Sequence, residues 1–190
     1  MMIDILRVPG ASRRLAPVEP RLAPLFCLVL LTAGCAVASC VLACATPFPA
    51  YGVVAAAMLP LSSALAVAGA AWVVNQAIGF GLLGYPHDVS TLGWGVALGL
   101  AALAAVVAAK AALRVRAPTP VALGAAGICA YAAYELVLFA FTPVLGDESA
   151  FSAAIVGRLG VLNLLWLIGL VAVCAAVRFF AAARARPALS

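Results

Sequence analysis

Long apolar runs separated by short polar punctuation set the organisation of this chain. The first 24 residues hold Pro9, Pro17, Pro20 and Pro24 together with four arginines, a pattern that does not support a stable helix and reads as a headgroup-level tail. An apolar segment then runs from about Leu25 to Ala45 and stops at Thr46-Pro47-Phe48-Pro49. Three later segments are equally plain: Thr91 to Leu113, with Ser90 or Thr91 as helix cap; Pro120 to Thr142, closed by Pro143; and Ser152 to Val177. Each has the ~20 residues that one bilayer crossing needs. The stretch from Ala50 to Gly84 is too long for one crossing and too short for two upright ones, and Leu59-Pro60-Leu61 is its only plausible break.

Charge placement turns these segments into a topology. All eleven Lys and Arg residues except Arg158 fall in three clusters: Arg7, Arg13, Arg14 and Arg21; Lys110, Arg114 and Arg116; and Arg178, Arg184 and Arg186. Asp88, Glu135, Asp147 and Glu148 lie between them. Positive residues are retained on the cytoplasmic side, so the chain crosses an even number of times between Arg21 and Lys110. The expected fold is an all-α polytopic membrane protein, a compact bundle of about six transmembrane helical segments with both termini cytoplasmic. In this reading residues 50 to 84 form a bent helical hairpin, and the alternative is four spans plus a re-entrant half-helix over residues 50 to 60. The chain divides into a basic tail (1–24), one membrane domain (25–183) and a short cytoplasmic tail (184–190).

Composition agrees and narrows the classes. At 67% hydrophobic and 9% charged residues the chain lies far from the roughly one-quarter charged makeup of soluble domains. The bilayer is its first partner, and localisation in a bacterial inner membrane is expected. Its basic residues are dispersed over helix ends with no stacking aromatics between them, so nucleic-acid binding is discounted. The six cysteines sit inside apolar segments, where thiols act as small packing groups. Val37-Ala38-Ser39-Cys40 is a loose lipobox, but the charged region before it is long for a signal peptide. No nucleophile elbow, phosphate-cradling loop or His-Glu-x-x-His motif occurs, so neither enzyme chemistry nor a bound cofactor is expected. His87 is the only histidine, which argues against an axially ligated haem, and a Cys40, Cys44 and His87 metal site is a minor alternative.

Candidate chemistry concentrates near one face. Glu135 and Arg158 lie about 10 Å and 9 Å below the same surface at 1.5 Å per residue, on segments joined by a short loop, and an intramembrane ion pair is expected. Asn75 and Gln76 lie about 13 Å from that face. Trp72, one turn before them, and Tyr131, one turn before Glu135, share their helix faces, and the Tyr85-Pro86-His87-Asp88 loop caps the layer. Trp72, Asn75, Gln76, His87, Tyr131, Glu135 and Arg158 form the candidate ligand site, with Asn163 as its floor and no metal. The same polar groups could instead be structural, as a register-fixing ion pair and as interhelical hydrogen bonds.

This size, helix count, inward termini and outward polar layer resemble the layout of the substrate-capture subunits of energy-coupling-factor transporters. That resemblance implies a small transport component that captures a small solute or metal-containing nutrient from outside and is energised by an ATPase module on another chain. The rival expectation, motivated by the abundant small residues, is an accessory or assembly subunit of a larger membrane complex. The topology has a direct readout: cysteines introduced at Val89 and Ser149 should react with an impermeant thiol reagent added outside, and one at Val115 only with reagent added inside.

Overall fold

The computed structural model describes residue 15 and residues 17–42, 45–115, 117–146 and 151–184. Six helices make up the fold, and the described residues contain no strand: α1 (Ala23–Leu42), α2 (Phe48–Met58), α3 (Leu61–Gly81), α4 (Val89–Ala112), α5 (Thr119–Leu145) and α6 (Ala153–Arg184). All but α2 are long and apolar enough to cross a bilayer. Asp147, Glu148 and Ser149, Cys44, Arg116 and most of both tails lie outside the described residues.

The break expected at Leu59-Pro60 is present, but the two halves it separates are unequal. α2 has 11 residues and every one is buried. Its sequence explains why, since Ala50, Gly52 and Ala55 to Ala57 leave no polar face, and a helix apolar all round belongs in an interior. Pro47 and Pro49 start it, and Gly52 lets it lie close on α4, where an added Cβ would come within 3.2 Å of the Val106 nitrogen. At about 16 Å long, α2 spans roughly half of a ~30 Å hydrocarbon core.

A short helix with both ends inside a bundle must satisfy its terminal backbone groups internally. At the start of α2, the Phe48 amide donates to the Thr46 carbonyl (2.9 Å), Pro49 has no N–H, and Tyr51 donates to the Pro47 carbonyl (3.3 Å). Ala50 donates to Asn163 Oδ1 on α6 (3.3 Å). At the other end Leu59 donates to the Ala55 carbonyl, while Lys110 Nζ donates to the carbonyls of Ala56 (2.8 Å) and Leu59 (2.6 Å). Lys110 thus turns inward and does not follow the helix out to the surface. Its ammonium caps α2, where a cation also complements the negative end of the helix dipole.

The helices alternate in direction. Cys35 bonds to the Ala71 carbonyl and Ser39 to Asn75, a constant offset that makes α1 and α3 parallel. Gly52 meets Ala105 and Val106 while Ala56 meets Lys110, so α2 and α4 are parallel too. Gly34 lies against Trp166 and Cys27 lies near Cys174, a near-constant sum of positions that makes α1 and α6 antiparallel. Arg21, the Lys110 and Arg114 turn, and Arg178 consequently gather at one end of the bundle. That arrangement is what sorted charge along the sequence requires.

Two element ends differ from expectation. Asp88, rather than Ser90 or Thr91, caps α4, accepting from the Thr91 amide (2.8 Å) and hydroxyl (3.1 Å). Those bonds hold its carboxyl below the usual carboxylate range. Pro143 does not close α5, which continues to Leu145 and ends at Gly146 with φ +81°. Lacking an N–H, Pro143 leaves the Phe139 carbonyl without its usual donor, a loss of one intrahelical bond near the end of the helix.

Replacing Lys110 with Met removes the donor for two interior carbonyls. The K110M protein should lose about 1–3 kcal/mol of folding stability in detergent or bicelle denaturation, whereas Arg114→Met, one turn on at an exposed position, should change it little.

Candidate functional site

The seven expected ligand residues separate into three groups. Asn75 and Gln76 are tied into a network between α1, the Thr46 turn and α3: Asn75 Nδ2 donates to Ser39 Oγ (2.9 Å) and Thr46 Oγ1 (3.0 Å), and Gln76 Nε2 donates to Asn75 Oδ1 (3.0 Å). Trp72 donates its indole N–H to the Gly95 carbonyl on α4 (2.8 Å). Gly95 and Gly99 make this approach feasible, since a Cβ would come within 2.5 Å of Gln76 Oε1 at the first and 2.9 Å of the Trp72 ring at the second. These three residues work as interhelical contacts, using the small-residue spacing on α4 as the seat for two larger side chains.

His87 and Arg158 form the second group, both exposed. His87 lies in the turn before α4, its ring 5.2 Å from that of Phe80. Arg158 faces outward, and the expected ion pair with Glu135 is not formed; the only ion pair among the described residues is the exposed Arg21–Glu19 pair at 2.8 Å. Helical geometry gives the reason. The α6 residues that face Glu135 are Ile155, Leu159 and Asn163, four apart, and Arg158 is rotated about 100° from Leu159. At six residues into α6 its long side chain can follow the helix out to the membrane surface.

Glu135 and Tyr131 are the third group. Tyr131 lies against Gly160 and donates its hydroxyl to the Val156 carbonyl (2.5 Å), pinning α5 to α6. One turn on, Glu135 faces a cavity of about 230 Å³ bounded by α4, α5, α6 and the turn before α2. Its walls include Thr46, Trp94, Tyr134, Phe151 and Asn163, and Glu135 is the only charged residue on them among the described residues. Glu135 Oε1 is shielded from solvent and has no hydrogen-bond partner.

Asn163 therefore lines the cavity, as expected of a floor residue, and simultaneously caps α2. Trp166 does not join it; its ring packs edge-on against Tyr51 and borders a separate apolar groove between α1 and α6. Trp94 and Phe151 carry no charge to mark them in the sequence, yet at six residues into α4 Trp94 lies about 9 Å deep, in the Glu135 layer. Cys40 is exposed on α1, and no three His, Cys, Asp or Glu side chains converge among the described residues.

Asn75→Ala should lower folding stability by about 0.6–2 kcal/mol, the range of intramembrane hydrogen bonds, in detergent or bicelle denaturation. Compared with known protein families, curated proteins and solved structures, the chain gives no match.

Proposed function

We propose that this chain is a multi-pass component of a membrane transport system, resident in a bacterial inner membrane, that captures a compact solute at the Glu135 cavity. The observation that carries this reading is the unpartnered carboxylate oxygen in an aromatic-walled cavity whose other described lining residues are uncharged. A buried polar atom without a partner is costly, and ionisable groups at membrane depth are kept mainly where they do work. α2 adds support, since transport sites commonly form where a broken helix ends inside a bundle, and the turn leading into α2 lines this cavity.

In this reading the end of the bundle bearing Arg21, Lys110, Arg114 and Arg178 is cytoplasmic, and the cavity lies toward the opposite, outer end. At about 230 Å³ it falls below the ~300–1,000 Å³ of usual ligand pockets, which favours a compact solute over a large metal-containing nutrient. An energising module, such as an ATPase on another chain, supplies the driving force.

The accessory-subunit reading is favoured by one feature. α1 and α6 make no close backbone approach, and the groove of about 790 Å³ between them is apolar throughout, a shape that would accept a partner's helix.

Glu135→Gln should abolish solute uptake and binding in a protein that still folds, whereas Arg158→Gln should leave both within about twofold of wild type. Equal loss in the two variants, or none in either, would remove the carboxylate from the site. A stoichiometric membrane partner retained in mild detergent, together with no solute binding, would favour the accessory role instead.

A further inference from the structure

Three elements each bring an aromatic residue to the Glu135 cavity: Trp94 from α4, Tyr134 from α5, and Phe151 from the turn before α6. The carboxylate is the only charge among the described residues of the lining, and Arg158, on the adjoining helix, lies on the exposed face of α6. Among the described residues no cation pairs with Glu135. Aromatic faces with one acid and no base form an environment suited to a weakly hydrated positive ion, which gains from ring quadrupoles and from the carboxylate together.

We propose that the cavity binds a compact organic ammonium ion, held by Glu135 and enclosed by Trp94, Tyr134 and Phe151; this rests on the Glu135 cavity being the solute site. The size limit excludes multi-ring amphiphiles. Anions meet an uncompensated carboxylate and no basic residue among the described lining. Hard metal cations would need six or more oxygen ligands, and the wall offers the Glu135 carboxylate with the side-chain oxygens of Thr46 and Asn163 and the hydroxyl of Tyr134. The positive end of α2 also borders the cavity, but it amounts to about half a charge, and its Ala50 amide is already engaged by Asn163. The full charge of Glu135 outweighs it.

Equilibrium binding to the full chain in lipid nanodiscs tests the proposal, with tetramethylammonium as probe, tert-butanol as a neutral counterpart of similar shape and acetate as an anion. Tetramethylammonium should bind, and the other two should not compete with it. Trp94→Leu and Glu135→Gln should each weaken binding about tenfold or more, Trp94→Phe should retain most of the affinity, and Arg158→Gln should have no effect. Melting curves identify any variant that fails to fold, and Trp94→Phe separates loss of the ring from loss of structure. If tert-butanol or acetate binds as well as tetramethylammonium and remains sensitive to Glu135→Gln, the ammonium assignment falls while the capture site stands. If no probe binds and uptake is indifferent to Glu135→Gln, both fall.

Discussion

The fold depends on one constraint: a helix of 11 residues buried on all sides must find hydrogen-bond partners for its ends inside the protein. Lys110 meets it at one end and Asn163 at the other. Neither partner is replaceable by the lipid, because hydrocarbon offers no donors or acceptors. α2 packs on each of the other five helices, so its placement sets theirs. The four-carbon stem of Lys110 lets its charge reach the Ala56 and Leu59 carbonyls from a position still near the basic end of the bundle.

α6 is the loosest member of the assembly. It packs chiefly on α2 and only thinly on α5, with Tyr131 and Gly160 at that second contact. It makes no close backbone approach to α1. Standing off in this way, it leaves an open apolar groove on one side and the smaller Glu135 cavity on the other. Tyr51 lies between them on α2, edge-on to Phe48 and Trp166, with its hydroxyl buried and unpartnered near Gly34. Both spaces are thus consequences of a bundle organised around a helix too short to fill it.

Much of this architecture is legible in the sequence, and what is not legible has a common cause. Prolines at 47, 49 and 60 mark the boundaries of α2, and the three basic clusters give the alternation that gathers Arg21, Lys110 and Arg178. Glu135 is identifiable as an acid at membrane depth. Helix rotation is a different matter. It is normally read from an apolar stripe, and segments apolar on every face carry none. Without that cue, Arg158 and Leu159 are interchangeable in a depth calculation, although a rotation of about 100° puts one on the exposed surface and the other on the cavity wall. The same uniformity hides the partner of Lys110, because depth alone does not show that carbonyls of α2 lie within its reach. Asn75 and Gln76 lie toward the expected end of the bundle, but α1 supplies a partner, Ser39, that satisfies one of them before any ligand could.

Asn163 links the start of α2 to the Glu135 cavity. Its Oδ1 accepts the Ala50 amide, its Nδ2 donates to the Leu159 carbonyl, and the same side chain forms part of the cavity wall. A guest that drew on the Asn163 oxygen would compete with the first turn of α2 for it, whereas a guest held by Glu135 and the aromatic rings would leave that bond in place. The existing bonds therefore favour ligands that do not need a strong acceptor from Asn163, and they direct recognition toward the carboxylate on α5. Because α2 touches every other helix, a guest that did disturb Ala50 would reach the whole bundle through one hydrogen bond. The proposed site thus borders the element on which the packing depends, while its recognition chemistry comes from α4, α5 and the turn before α6.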